Sequence, residues 1–186
     1  MKMTWIAIRA SIVLMVICGL IYPLVTTGVA QAIFPRQANG SLIESNGVVQ
    51  GSELLAQNFE SPKFFHPRAS AAKYDPKSSA GSNVAISDSD YVKGISDQID
   101  ALKKENPTLN DVPADLVTVS GSGFDPDLSP EGARAQVPRI STETGVSADL
   151  IQQLIDKQTM NRQLGIFGEP RVNVLDLNLG LLQLQK

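Results

Sequence analysis

Cysteine occurs once in the 186 residues, at Cys18, and histidine once, at His66. Cys18 lies in an apolar stretch near the start, so the chain after it has no thiol. No disulfide can staple that region, and its stability must come from its own core. A cysteine-based metal site is excluded for the same reason. Ile17 precedes Cys18 where a lipoprotein signal needs a small residue, so Cys18 reads as an apolar residue inside a helix. A basic excess is missing as well. Residues 36–186 hold fourteen of the sixteen Lys and Arg and all nineteen Asp and Glu, a net charge of −5. That balance argues against nucleic acid as a partner and serves mainly for solubility.

Charge of either sign is absent from Ala10 to Pro35, and Ile12-Val13-Leu14-Met15-Val16-Ile17 and Leu20-Ile21 within it are strongly apolar. A run of this length can cross a hydrocarbon core about 30 Å thick. A core helix of a small domain is rarely apolar on all sides. Lys2 and Arg9 precede the run and only Arg36 follows closely, which places the N-terminus in the cytoplasm and the rest outside. The expected organisation is a cytoplasmic N-terminus over 1–9, a transmembrane helix over 10–34 and one soluble extracytoplasmic domain over 35–186. Trp5 suits an interfacial zone; Tyr22 lies nearer mid-span. Pro23 is expected to kink the helix. Ala30-Gln31-Ala32 has the small-x-small form of a signal-peptidase site, but the apolar run is long for a signal peptide, which favours an uncleaved anchor.

Beyond the span, Asn46-Gly47 between Ser41–Glu44 and Val48–Gln50 predicts a hairpin. A short helical piece is expected over Ser52–Ala56. Residues 58–87 lack periodicity and form a long irregular segment, the kind that is functional or disordered in compact domains. Tyr91, Ile95, Ile99 and Leu102 line one face of a helix from Asp88 to about Glu105, capped by Ser87 or Asp88 and stopped by Asn106-Pro107. Leu116-Val117-Thr118-Val119 reads as a buried strand. Ser129-Pro130-Glu131 starts a helix, because proline loses nothing at the first helical position. Ser147 caps another helix that runs to about Thr159, with Leu150, Ile151, Leu154 and Ile155 as its apolar face. Val172, Val174, Leu175, Leu177 and Leu179 predict a strand followed by an apolar tail. The fold class is α+β: one N-terminal transmembrane helix, then a single soluble α+β domain. Sheet order cannot be read from this pattern.

The chemistry-bearing residues are sparse. His66, in Phe64-Phe65-His66-Pro67-Arg68, has no nucleophile-elbow sequence to partner, so it reads as structural and no catalytic residue is assigned. Ser120-Gly121-Ser122-Gly123-Phe124-Asp125-Pro126-Asp127 joins an expected strand to a capped helix. It lacks the Gly-Lys-Ser/Thr of a phosphate loop and the dinucleotide spacing. It is either a ligand- or partner-contacting loop or a tight connection. Gly165-Ile166-Phe167-Gly168-Glu169-Pro170-Arg171 similarly places charges on a loop before a strand. Ser78-Ser79-Ala80-Gly81-Ser82-Asn83 is a backbone nest or a plain loop. The candidates for binding a cofactor are Gly121, Ser122, Gly123, Gly168, Glu169 and Arg171; no metal site is assigned.

Several short motifs, in order, carry a resemblance. They are Tyr22-Pro23-Leu24-Val25-Thr26-Thr27, Gln37-Ala38-Asn39-Gly40-Ser41-Leu42, Gly51-Ser52 with Gln57-Asn58-Phe59, and Phe65-His66 with Arg68 and Ser70-Ala71. Gly81-Ser82-Asn83, Val112-Pro113 with Asp115-Leu116-Val117-Thr118, and Ser120-Gly121-Ser122-Gly123 follow. Gln136-Val137-Pro138-Arg139, Gly168-Glu169-Pro170-Arg171-Val172-Asn173-Val174 and Leu177-Asn178-Leu179 complete the set. Together they cover nearly the whole chain, which resembles the C subunit of the Kdp-type potassium-transporting P-type ATPase of bacteria. Two loops depart from the family pattern: Arg68-Ala69-Ser70-Ala71 where Arg-Pro-Ser-Ala is common, and Ser79-Ala80-Gly81-Ser82-Asn83 where Ser-Gly-Gly-Ser-Asn is common. Some relatives carry Gln at the place of Glu169.

The resemblance implies an accessory subunit in the plasma (inner) membrane that assembles with two partners. One is a potassium-binding, channel-like subunit; the other is the P-type subunit that hydrolyses ATP. It also implies a catalytic-chaperone role that raises the pump's affinity for ATP. No tightly bound cofactor is expected, and ATP enters only through the complex. The charge bias conflicts with direct contact, because it puts the domain outside, where ATP is not available. On that topology the domain caps or braces the extracellular mouth of the potassium subunit. The alternative is an anchored or secreted extracytoplasmic binding protein unrelated to ATP.

Overall fold

The computed structural model of the chain describes residues 2–45, 47–107 and 109–185. It divides into two compact units, Met1–Gln50 and Gly51–Lys186.

In the first unit, the apolar run forms one continuous helical rod. It consists of α1 (Lys2–Val16), a π-helical turn (Ile17–Ile21) and α2 (Tyr22–Ile33). The rod is long and apolar enough to cross a membrane, and none of it is buried within the chain. A helix is the structure such a sequence must take in lipid, because it satisfies every backbone group within the segment. The π turn has a local cause. Pro23 brings no N–H and its ring crowds the preceding turn. The Tyr22 N–H reaches back five residues to the Ile17 carbonyl, and this wider turn gives the ring room. A short helix, α3 (Pro35–Ala38), follows. Then β1 (Leu42–Ser45) and β2 (Val48–Ser52) pair as a two-stranded sheet. The expected hairpin is present; Asn46 of its turn lies outside the described residues.

The second unit departs from the sequence pattern at three places. The helical piece expected over Ser52–Ala56 is instead the end of β2 and a turn. There the Ser52 hydroxyl and carbonyl accept the N–H groups of Leu54 and Leu55, a local competition that serine is suited to win. The strand expected at Leu116–Val119 is a four-residue helix, α5 (Ala114–Val117), behind Pro113. Only Val119 keeps a strand contact, a parallel bridge to Ala69. The strand expected from Val172 is two residues long. β4 (Val172–Asn173) pairs antiparallel with β3 (Asp127–Leu128). Asn173 then caps α9 (Val174–Leu184) by accepting the N–H groups of Leu175 and Asp176. The apolar residues that alternate on paper are buried on a helix because a cap sits in front of them.

The remaining elements follow their local signals. α4 (Ser89–Glu105) is capped by Asp88 and half-buries Tyr91, Ile95, Ile99 and Leu102. α6 (Pro130–Ala135) starts at the Ser129 cap, and α8 (Ala148–Gln158) at the Ser147 cap. α7 (Val137–Thr144), between them, ends on Gly145 at φ 76°, a left-handed turn that glycine takes without strain. Ile140, Ile151, Ile155, Leu177 and Leu181 from α7, α8 and α9 close the core around Leu128 and Phe65. Residues 58–87 contain no helix and no named strand among the described residues. Their first part runs across the helical core, with Phe65 completely buried.

Candidate functional site

The chain from Pro62 to Arg68 is a strap held to the core by side-chain amides. Asn178 of α9 accepts the Phe65 N–H at 2.8 Å and donates to the Phe65 carbonyl at 3.0 Å. Gln136 repeats this at the next residue: its Oε1 accepts the His66 N–H at 2.8 Å, and its Nε2 donates to the His66 carbonyl at 3.0 Å. Each amide stands in for a neighbouring strand, which this irregular segment otherwise lacks. Arg139 tightens the arrangement. It donates to Gln136 Oε1 at 2.8 Å, to the Phe64 carbonyl at 3.1 Å and to the Pro62 carbonyl, and it faces Glu105 at 3.4 Å. A cavity of about 460 Å³ opens beside this strap, with Phe59, Tyr74, Gln98 and Leu102 among its walls.

His66 is part of this scaffold. Its Nε2 is 3.0 Å from the Ser61 carbonyl, which selects the Nε2–H tautomer as donor. Burial pushes its pKa down; the Ser61 carbonyl opposes this, the Arg139 cation adds to it and Glu105 opposes it weakly. The folded state therefore favours neutral imidazole. That contribution to stability is complete above about pH 6.5, the ordinary histidine value, and is lost as pH falls below it. His66→Gln should flatten the fall in thermal midpoint between pH 7.5 and 5.5. It should leave the activity that depends on this chain largely intact. Loss of that activity with normal folding would show that the ring has a task beyond packing.

A second cluster lines a wide cleft of about 580 Å³ that includes Arg68, Asp115, Asp125, Asp127, Glu169 and Arg171. Two ion pairs lie within it, Arg68 with Asp125 at 2.8 Å and Arg171 with Asp127 at 2.9 Å. Asp115 is occupied by the N–H of Ser129 at 2.7 Å. Burial raises the Asp127 pKa against the pull of Arg171, with Asp125 adding to the rise. Among the described residues no group of three or more His, Cys, Asp and Glu is placed to hold a metal ion. The cleft thus carries two internal ion pairs in a lining that is acidic on balance, with Asp115, Glu131 and Glu169 beside them, suited to contact with another polar surface.

Of the candidates taken from the sequence, Glu169 and Arg171 meet in this cleft, and Gly168 sits beside them at φ 78°. Gly121, Ser122 and Gly123 do not line it. They form a loop packed on residues 70–81. Ser70 donates to the Gly123 carbonyl at 2.8 Å and Ser79 to the Ser122 carbonyl at 2.9 Å. A Cβ at Gly123 would come within 2.9 Å of Ala72 and of the Ala80 carbonyl, so the close approach requires glycine. The N–H groups of Gly123 and Asp125 go to Ser120 Oγ, and that of Phe124 to Ser122 Oγ. A phosphate cradle needs such groups free; these are engaged within the loop. Asn178, Gln136 and Asp115 enter the sequence reading only as parts of family motifs with no site role, whereas Asp125 and Asp127 belong to the Ser120–Asp127 segment read there as a possible contact loop. Asn and Gln inside apolar or helical runs were the available signal for the first two, since a buried amide must find partners.

A third feature is the excursion from α8 to β4. Met160 and Arg171 form an antiparallel bridge, as do Gln163 and Phe167, so residues 160–171 fold back as a narrow arm. An ion pair between Arg162 and Glu169 ties its two sides together.

The chain is similar to known proteins over both units. The family model described as KdpC, the c chain of the K+-transporting ATPase, matches residues 4–183. The potassium-transporting ATPase KdpC subunit of Bacillus anthracis is 48% identical over 183 residues, covering 96% of this chain and 94% of that one. The subunit of the same name from Caldanaerobacter subterraneus subsp. tengcongensis is 46% identical over 178 residues, covering 95% and 92%.

Proposed function

Since the chain belongs to the KdpC family, the c chain of the K+-transporting ATPase, we propose that it is an accessory subunit of an ATP-driven potassium-uptake complex, assembling and stabilising that complex from the extracytoplasmic side of the membrane. The observation that carries this reading is the extent of the match. It runs through the apolar rod and the folded unit alike, so anchor and domain belong to one family design. Its partners on this reading are a potassium-binding, channel-like subunit and the P-type subunit that hydrolyses ATP.

The domain works as a brace. Its cleft presents paired charges, and its serine–glycine loop has its N–H groups engaged internally. Both features suit a preformed protein-contact surface more than a nucleotide site. Lys2 and Arg9, in the first turns of the rod and ahead of its uncharged stretch, favour an N-terminus inside and the folded unit outside. A catalytic-chaperone effect on ATP affinity then acts through the assembled complex, because ATP lies across the membrane from this domain. Gly121, Ser122, Gly168, Glu169 and Arg171 touch solvent or partner protein on this reading, while Gly123 is buried against residues 72 and 80.

Membrane-impermeant thiol labelling tests the topology. In a Cys18→Ser background, Lys77→Cys and Lys157→Cys place single thiols on exposed positions of the folded unit. Both should label in intact cells without permeabilisation. Labelling only after membrane disruption would put the domain in the cytoplasm and restore direct ATP contact as the better reading.

A further inference from the structure

The arm at 160–171 ends in a stretch without charge, Gln163-Leu164-Gly165-Ile166-Phe167-Gly168. Leu164 is 88% exposed, Ile166 73% and Phe167 62%. Turns facing water are built from Gly, Asn, Asp and Ser, so three large apolar side chains on one turn need another cause. The backbone points the same way. Leu164 is at φ 53° and Gly165 at φ 74°, left-handed conformations that Asn-Gly adopts readily and a leucine does not. The apolar side chain is kept at a position where the fold alone favours a polar one. The tip is also held in shape. Gln163 and Phe167 exchange both backbone hydrogen bonds, at 2.8 and 2.9 Å, and the Ile166 N–H bonds the Gln163 carbonyl at 3.1 Å. Arg162 and Glu169 close the arm behind it.

We propose that this tip is a plug that seats Leu164, Ile166 and Phe167 in an uncharged apolar pocket on another subunit of the same ATPase complex. The proposal deepens the function given above and rests on the chain working as a subunit of that complex. A protein pocket rewards a few large apolar groups held in a fixed shape, since the ordering cost has been met beforehand. A bilayer surface makes no such demand. It takes apolar residues by composition and favours free basic neighbours, whereas Arg162, the base beside the tip, is neutralised by Glu169. The lack of charge from Gln163 to Gly168 defines the receiving pocket as apolar and charge-free.

The test uses the full-length chain expressed with the rest of the complex. Leu164→Ser, Ile166→Ser and Phe167→Ser should leave the thermal midpoint of the chain unchanged, because these side chains are exposed. Each should reduce recovery of the chain with the complex by roughly tenfold, the range expected of anchor residues in an interface. A photoreactive phenylalanine analogue in place of Phe167 should cross-link to a partner subunit. Native-like recovery of all three variants would overturn the proposal, and so would cross-linking of the analogue to lipid or to no protein. A cross-link to a cytoplasmic segment of a partner would support the plug while overturning the extracytoplasmic placement, so the two readings fail separately.

Discussion

Asn178→Leu should destabilise the folded unit by about 2–5 kcal/mol, a large share of what a domain of this size possesses. Leucine fills the space of the amide but offers neither donor nor acceptor. The Phe65 N–H and carbonyl, which Asn178 satisfies at 2.8 and 3.0 Å, would then be buried without partners. Phe65 has no exposed surface and Asn178 is 2% exposed, so water cannot replace the amide without opening the core. Unpaired backbone groups cost about 1–3 kcal/mol each, and the strap would also lose part of what holds Phe65 in place. Urea unfolding of the full chain in detergent, followed by circular dichroism, reads the effect as a lower midpoint at unchanged slope. Asn178→Asp should also destabilise, because it keeps an acceptor for the N–H, loses the donor to the carbonyl and buries a charge. An unchanged midpoint in Asn178→Leu would mean that the strap finds other partners and that the amide pairing is incidental.

Replacing residues 5–33 by a polyleucine span should keep the chain in the membrane and cut potassium uptake at limiting external potassium by about tenfold or more, through a loss of lipid-phase packing. The rod has features that a passive tether does not need. Pro23 removes one backbone donor, and the turn before it is π-helical, so the hydrogen-bond ladder there is open to a neighbouring group. Gly19, Thr26, Thr27, Gly28 and Ala30 let a second helix approach closely, and none of the rod's apolar window is buried within the chain. Polyleucine restores an unbroken ladder and removes the small residues while the folded unit stays unaltered. The readouts are uptake by cells and recovery of the partner subunits with the swapped chain. If the swapped chain supports uptake as well as the native one, the helix is only an anchor.

Much of this architecture was legible because it is local. The apolar rod follows from composition alone. The caps at Asp88, Ser129 and Ser147 and the α4 face of Tyr91, Ile95, Ile99 and Leu102 depend on neighbours within one helical turn. The family resemblance likewise rests on the order of short motifs, and the match over residues 4–183 bears it out.

What sequence could not decide is set by partners far along the chain. Val172 to Leu179 alternates like a strand, yet it forms two paired residues and then a helix. β3 lies about 45 residues earlier in the chain, is only two residues long and has nothing further to pair with. Leu116 and Val117 have side chains common in strands, but both are buried on one short turn behind Pro113, where packing outweighs propensity. The strap shows the principle most directly. Residues 62–68 carry no periodic signal, and their conformation comes from Gln136 and Asn178, 70 and 113 residues distant. Glu169 and Arg171 were legible as charges, while their meeting with Arg68, Asp125 and Asp127 needed β3 and β4 to pair first. Local hydrogen bonds and side-chain periodicity are fixed by adjacent residues and can be read directly. The pairing of buried polar groups across the core is fixed only when the whole unit closes and each of them must find a partner away from water.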